Sequence, residues 1–316
     1  MCGIVAYIGH RQAYPVIIKG LQRLEYRGYD SAGIALLNGN LTVYKKAGKV
    51  SDLVEYTEGK DVQGTLGMGH TRWATHGEPN DRNAHPHYSE SKNFAIIHNG
   101  IIENYASIKK ALTAKGHNFD SDTDTEVLIH LIEEIFNTEK VELEEAVRLA
   151  LGEIVGAYAI VIVSKIHPNK IIAARKASPI VVGIGHGEYF VASDATPIVE
   201  YTKNVVYLND NEIAIIDRNQ FTIRTIENQV KTPFIQKLEI ELEAIEKGGY
   251  THFMLKEIYE QPRSIWDSMR GRFDARRDYL RLGGLSEFES KFVNAKRIII
   301  VACGTSWHAG LVAEYL

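Results

Sequence analysis

Between Ala157 and Ile226 the chain is a series of short apolar runs set off by polar or turn-forming residues: Ala157–Val163, Lys170–Ala174, Ile180–Ile184, Tyr189–Ala192, Val205–Leu208, Glu212–Asp217 and Phe221–Ile226. Such runs, rich in Val and Ile, are too short for ordinary helices and read as strands. So many strands in one stretch require a large sheet, and a sheet needs cover on its apolar face. Cover is available upstream. Helical patterns span Ala13–Tyr26, with Val16, Ile17, Leu21 and Leu24 on one stripe, then Tyr105–Lys115, Thr123–Asn137 and Glu142–Leu151. Thr123-Asp124-Thr125-Glu126 fits a capping box at a helix start. Further strands are predicted at Cys2–Ile8, Thr65–Thr71 and Phe94–His98. Ala32–Leu37 and Leu41–Lys45 flank Asn38-Gly39-Asn40, a hairpin signal. The long polar loop Arg72–Lys92, rich in His, Asn and Pro, has the length of a functional segment. Strands at both ends with helices between them predict a layered α/β (α+β) domain. The steady strand–helix alternation of a doubly wound sheet is missing.

At 316 residues the chain has room for about two domains. Lys plus Arg number 36 against 40 for Asp plus Glu, a net charge of -4, which gives no electrostatic case for nucleic acid or an anionic membrane. The longest apolar runs fall short of the roughly 20 residues of a membrane-spanning helix. Met1–Gly9 has no basic leader and no cleavage site, so the expected location is cytoplasmic. Cys2 and Cys303 are the two cysteines, which rules out a disulfide framework. The character of the chain changes near residue 228. The predicted division is a first domain over 1–227, a linker over 228–250 and a second domain over 251–316. Leu238–Lys247 fits strand or helix by pattern, and a helix is predicted near Tyr250–Gln261. The arginines of Arg270–Arg281 read as a solvated helix face. Ile298–Ala302 reads as a buried parallel strand running through Cys303-Gly304-Thr305-Ser306 into a helix. A parallel sheet is not completed in the residues that remain, so this domain is expected to be truncated.

Cys2 stands out chemically. A small side chain beside Met1 favours removal of the initiator, which leaves a thiol and a free α-amine on one residue. Their ordinary pKa values lie near 8.5 and 8, so the amine can act as base for its own nucleophile. On its own, a Cys in a first strand is equally a buried small residue. Its partners decide.

Candidate partners come in polar clusters: Glu25-Tyr26-Arg27-Gly28-Tyr29-Asp30-Ser31-Ala32-Gly33; Gly69-His70-Thr71-Arg72-Trp73-Ala74-Thr75-His76-Gly77 leading to Asn83-Ala84-His85-Pro86-His87; His98-Asn99-Gly100-Ile101-Ile102-Glu103-Asn104; and the helix start at Asp124. Together with Cys2-Gly3-Ile4-Val5 these segments resemble the glutaminase domain of amidotransferases with an N-terminal cysteine nucleophile. His252–Pro262 and Ala302–Ser306 are similar to the start of the sugar isomerase half of the members that use fructose 6-phosphate as ammonia acceptor. Ala6 stands where Gly is common in the family, and Asp122 where Glu often precedes the Thr-Asp-Thr-Glu run.

The resemblance implies a four-layer αββα sandwich of the N-terminal-nucleophile hydrolase type, followed by a truncated α/β sugar isomerase domain. It assigns attack on glutamine to Cys2 and the oxyanion to the Asn99 amide and the Gly100 N–H. Arg72 would take the glutamine α-carboxylate as a two-pronged donor. Asp124 would take the α-ammonium, at a helix N-terminus that favours negative charge. Thr75, His76 and Gly77 resemble a loop that closes over glutamine, and Trp73 an indole that gates ammonia. Thr305 and Ser306 suit part of a sugar-phosphate site. Arg27 and Asp30 read as scaffold around the nucleophile, and Cys303 as a buried small residue. His70, His76, His85, His87 and His98 match no zinc spacing and read as loop packing; no metal or organic cofactor is expected. Expected partners are L-glutamine and, for a longer chain, fructose 6-phosphate, with a homodimer as its assembly. Two other readings compete. A related glutaminase with another acceptor, such as a phosphoribosyl diphosphate, would need a loop for it that the sequence lacks. A non-catalytic sugar-phosphate binder would leave Cys2, Arg72, Asn99 and Asp124 without a task.

Overall fold

The structure, a computed structural model, describes residues 2–73, 77–238, 249–269, 273–274, 279–280 and 288–315. The chain divides into two compact units, Met1–Ile245 and Glu246–Leu316.

The first unit opens with β1 (Gly3–Ile8), α1 (Ala13–Leu24), β2 (Ser31–Asn38), β3 (Asn40–Ala47), α2 (Val50–Thr57), β4 (Leu66–Arg72), β5 (His87–Tyr88) and β6 (Phe94–Ile102). Three helices follow, α3 (Tyr105–Ala114), α4 (Asp124–Glu139) and α5 (Leu143–Glu153). The strand series is then β7 (Gly156–Ser164), β8 (Lys170–Lys176), β9 (Val181–Ile184), β10 (Tyr189–Ala192), β11 (Asn204–Tyr207), β12 (Glu212–Asp217), β13 (Phe221–Thr225), β14 (Val230–Lys231) and β15 (Gln236–Lys237). They form two antiparallel sheets, one in the order β15-β11-β9-β10-β1-β4-β2-β3 and the other β14-β13-β12-β8-β7-β6-β5.

Side-chain alternation explains how the sheets stack. In β1, Ile4, Ala6 and Ile8 point into a seam shared with Ala95 and Ile97 of β6 and Val161 and Val163 of β7. The alternate residues Val5 and Tyr7 pack on Ile17 and Leu21 of α1. In the second sheet, Phe94, Ile96, Ile160 and Ile162 face Leu128, Ile132 and Val147 on α4 and α5. Both faces of the central strands are covered, which is why their sequences read as unbroken apolar runs rather than alternating ones. Helices, sheet, sheet, helices: this is the expected four-layer αββα sandwich.

Several local features differ from the sequence reading. α2 was not expected; two turns are too short for a clear period, and Asp52 holds its start by accepting the Lys49 N–H at 2.6 Å. β6 continues past His98 through Asn99 and Gly100, which pair with Ala159 and Tyr158 of β7. Asn99-Gly100 therefore lies within the strand. Within the stretch read as a linker, β14 and β15 extend the edges of the two sheets.

In the second unit the described elements are α6 (Phe253–Met269), β16 (Phe273–Asp274), β17 (Tyr279–Leu280), α7 (Glu289–Val293) and α8 (Gly304–Glu314). The arginine-rich stretch is no helix face in its described part, because β16 and β17 pair antiparallel with Phe273 opposite Leu280. Residues 298–303 form no strand, and Ile298, Ile299, Ile300 and Val301 are exposed. A parallel strand exists only against a neighbour, and none of the described residues supplies one. Cys303 is exposed too. Most of Leu238–Lys247 lies outside the described residues. Among those described, no helix is long and apolar enough to cross a membrane.

α1 packs directly on β4 where the strand carries Gly67 and Gly69. A Cβ on Gly69 would lie 2.4 Å from Ile17 Cγ2 and 2.9 Å from Leu21 Cδ1. Gly69→Ala should therefore cost about 1–3 kcal/mol by overpacking, read as a lowered urea midpoint. An unchanged midpoint would mean that α1 is not seated this tightly.

Candidate active site

Cys2 is fixed by its neighbours on both sheets. The antiparallel register of β1 with β4 sets Gly3 opposite Thr71, which brings Cys2 beside Arg72 and Trp73. The Trp73 backbone N–H donates to Cys2 Sγ at 3.2 Å, and the thiol faces the Trp73 carbonyl at 3.6 Å. The next two N–H groups are tied down as well: Gly3 N–H donates to Thr71 Oγ1 at 3.2 Å and Ile4 N–H to Ser193 Oγ at 3.0 Å. From the other sheet, Asn99 Nδ2 donates to the Cys2 carbonyl at 3.0 Å.

The orientation of Asn99 has its own support. Asn99 Oδ1 lies 2.9 Å from His70 Nε2. An amide oxygen only accepts, so His70 carries its proton on Nε2. Burial pushes the His70 pKa down to about 3, against a smaller upward pull from Asn99. The ring is neutral at ordinary pH, and a contact with the His98 backbone adds a still smaller upward pull. His70 stacks on His85 at 4.3 Å, and His85 meets His87 edge-on at 4.8 Å. The His98 N–H donates to His85 Nδ1 at 3.2 Å, and His98 Nδ1 lies 2.9 Å from Thr125 Oγ1. Burial pushes all four imidazoles down. They form a neutral packed block behind Cys2, joined by one stacked pair, one edge-on contact and hydrogen bonds.

Charge enters from Arg72 and Asp124. Arg72 ends β4, is buried, and reaches the Glu78 and Gly77 carbonyls at 3.4 and 3.5 Å. Burial pulls its pKa down, while the neighbouring Cys2, Asp30 and Asp124 pull it up. Asp124 is the first residue of α4, and its Oδ2 accepts the Ile102 N–H at 2.8 Å. Thr123 caps α4 by accepting the Glu126 N–H at 3.4 Å. The reciprocal half of the capping box is absent: Glu126 accepts the Asp120 and Ser121 N–H groups instead, at 2.7 and 2.6 Å. Gly100 holds φ +139, and a Cβ there would lie 2.0 Å from the Ala157 carbonyl oxygen, so the position admits only glycine.

Cys2, Arg72, Trp73, Gly100 and Asp124 thus line one cleft, with His70, His85, His98, Thr123 and Thr125 completing its wall. Asn99 joins it through the Cys2 carbonyl, and Gly77 through the Arg72 guanidinium. Thr75 and His76 lie outside the described residues. The Trp73 indole is half exposed, edge-on to Tyr29 at 5.9 Å. Thr305 and Ser306 stand in the first turn of α8, in the second unit. Sequence reasoning did not find Thr123 and Thr125, nor the bond from His70 to Asn99; a helix-cap pattern carries no hint of which cavity the helix faces. The cleft is narrow, with a cavity volume of about 30 Å³.

Burial raises the Cys2 thiol pKa, opposed by the Trp73 N–H and by Arg72 among others. The standing thiolate is scarce, and the proton has to leave during attack. A nucleophile, a cation, a carboxylate and convergent amide donors around one small space suit acyl transfer from a zwitterionic substrate.

The family described as glutamine amidotransferase domain matches residues 56–239, a stretch that contains Arg72, Asn99, Gly100 and Asp124 and begins after Cys2. Among curated proteins, a glutamine–fructose-6-phosphate aminotransferase (isomerizing) from Bacteroides thetaiotaomicron is 60% identical over 319 residues, covering 100% of this chain and 52% of that protein. The protein of the same name from Chlorobaculum tepidum is 54% identical over 320 residues, with the same coverage. The chain spans about half the length of these relatives. Among solved structures, a glutamine phosphoribosylpyrophosphate amidotransferase from B. subtilis superposes with a TM-score of 0.62 at 27% identity, covering 72% of this chain and 50% of that one.

The neutral His70 makes stability depend on pH. Unfolded, its imidazole takes a proton below about 6.5; folded, it does so only near 3. Stability is therefore complete above pH 6.5 and falls as pH drops, by about 2 kcal/mol at pH 5 from this residue alone. Urea titrations at pH 7.5, 6 and 5 should show that decline. In His70→Gln it should be shallower by a similar amount; an equal decline in both proteins would contradict the assignment.

Proposed function

This chain belongs to the glutamine amidotransferase domain family, and on that premise we propose that Cys2, as the N-terminal residue after removal of Met1, releases ammonia from glutamine. The observation that carries the reading is the single cleft in which the Cys2 thiol meets Arg72 and Asp124. A sulfur nucleophile flanked by one cation and one carboxylate matches an amino acid with a side-chain carbonyl to attack.

Glutamine enters with its α-carboxylate on Arg72, replacing the two long contacts to the loop carbonyls. Its α-ammonium meets Asp124. Sγ attacks the side-chain carbonyl carbon while the thiol proton passes to the Cys2 α-amine, directly or through a water. The oxyanion takes the Gly100 N–H and the Asn99 amide N–H that is not engaged by the Cys2 carbonyl; a donor of this kind is worth ~3 kcal/mol of barrier. Collapse breaks the C–N bond, and the α-ammonium returns its proton to the departing nitrogen, giving ammonia and a thioester on Cys2. Water then attacks the thioester and glutamate leaves. Thr75, His76 and Gly77 close over the substrate, and the Trp73 indole gates the ammonia.

For a longer chain that contains this one, the acceptor is fructose 6-phosphate and the product glucosamine 6-phosphate. In this reading residues 1–227 are the glutaminase domain, 228–250 a linker and 251–316 the start of a sugar isomerase domain, with Thr305 and Ser306 contributing to its phosphate site. The longer protein acts as a homodimer in the cytoplasm. Support for this acceptor over a phosphoribosyl diphosphate lies in coverage and identity: 60% over 100% of the chain for the aminotransferase, against 27% over 72% for the phosphoribosyl enzyme. This chain alone should hydrolyse glutamine at most, without forming the amino sugar.

A glutamine-analogue electrophile should add once per folded chain, on Cys2, and glutamine should protect against it. Arg72→Lys should raise KM for glutamine about tenfold or more with a smaller effect on kcat, since Lys cannot make the paired contact. Asn99→Ala should lower kcat by about 100-fold. Absence of the Cys2 adduct in folded protein with a free N-terminal cysteine would refute the reading.

A further inference from the structure

Away from the cleft, three side chains from separate segments converge: Glu90, in the turn between β5 and β6; His117, just after α3; and His130, within α4. Each presents one ligand atom, all within 4.8 Å of one another. The two imidazole Nδ1 atoms are 3.3 Å apart, and His130 Nδ1 lies 3.6 Å from Glu90 Oε2. For a tetrahedral ion bound at 2.0–2.1 Å by nitrogen, the distance between two ligand atoms is about 3.3 Å. The two imidazole nitrogens already have that spacing, and the Glu90 carboxylate needs only a small side-chain shift to join them.

The far nitrogens are also accounted for. His117 Nε2 faces Glu134 Oε2 at 3.2 Å, and His130 Nε2 faces Glu126 Oε1 at 3.9 Å. The Glu134 carboxylate orients the His117 ring and favours the tautomer whose inner nitrogen is bare, the usual support of a metal-bound histidine, while Glu126 near His130 Nε2 adds a favourable charge beyond hydrogen-bond reach. Phe119 stacks over His130 at 4.7 Å and shields that side. Glu90 is 39% exposed, which leaves an approach from solvent. Its carboxylate also accepts the Asn118 N–H at 2.9 Å, so the acid is already oriented by the loop that carries His117.

We propose that Glu90, His117 and His130 form a binding site for a divalent transition-metal ion of the zinc class, with water as fourth ligand. Two imidazoles and one carboxylate select such ions over Mg2+ or Ca2+, which prefer all-oxygen sites. Each imidazole binds the ion through a bare Nδ1 and keeps its one proton on Nε2, so a neutral histidine pair releases no net proton on binding. The ion ties the turn after β5 and the loop after α3 to α4, the helix that starts with Asp124, and its effect is to brace these segments.

The test is Zn2+ titration against a chromophoric chelator at pH 7.5. The protein carries Cys2→Ser and Cys303→Ser, so that no thiol competes. One ion per chain with a Kd of about 10 µM or tighter is expected, together with a rise in Tm on adding Zn2+ and a Co2+ spectrum typical of nitrogen and oxygen ligands. His117→Ala, in a loop, should weaken binding about 30-fold or more, and Glu90→Gln about tenfold. At a fixed Zn2+ concentration both should reduce the Zn2+-dependent rise in Tm, His117→Ala more than Glu90→Gln, while leaving the metal-free Tm near that of the parent. Binding weaker than about 100 µM in the parent, or equal affinity in parent and both variants, would overturn the site.

Discussion

The structure of the first unit rests on the burial of β1 on both faces. Ile4, Ala6 and Ile8 lock into the seam between the sheets, and Val5 and Tyr7 pack beneath α1. Every residue of the strand is buried. A strand held on both faces and paired along both edges cannot shift register without turning its apolar residues out of place. Its first residue is Gly3, so the thiol one position earlier inherits the rigidity of the whole sandwich. A nucleophile at a chain end would otherwise be among the most mobile groups in a protein.

Around this anchor the polar groups answer one another across the sheets. Asn99 on β6 reaches the Cys2 carbonyl, and His70 on β4 holds Asn99 in turn. Burial keeps His70 neutral while its Nε2–H still donates to the Asn99 amide oxygen. The buried imidazoles therefore act as uncharged packing that still orients an amide. Arg72 and Asp124 bring the full charges to the cleft, one from the end of a strand and the other from the start of a helix. The same burial that keeps the histidines neutral raises the Cys2 thiol, so the proposed attack needs a base beside the sulfur.

Much of this was legible in the sequence. The strands from Ala157 onward and the helices around Leu128 and Val147 have strong periods or length limits, and they emerge at nearly the predicted bounds. Cys2, Arg72, Asn99, Gly100 and Asp124 emerged as a set only through a family resemblance, because spacing alone does not bring residues 2 and 124 together. Other features depended on partners that a linear reading does not supply. The short α2 is held by Asp52 at its start and by burial of Val50 and Leu53. Asn99-Gly100 has the composition of a turn, yet the β7 ladder keeps it extended. Ile298–Ala302 has the composition of a buried strand, yet without an adjacent strand it forms none. The convergence of Glu90, His117 and His130 is likewise a product of packing, since no local pattern links a turn, a loop and a helix.

The proposed chemistry turns on the α-amine of Cys2 as the base for its own thiol. The most direct measurement compares two forms of the same chain, one beginning at Cys2 and one retaining Met1, each verified by intact mass and assayed for glutamine hydrolysis. In the second form the nitrogen of Cys2 is a peptide amide and accepts no proton. The account predicts turnover in the first form and a loss of at least about 100-fold in kcat in the second. Equal turnover by both would contradict it.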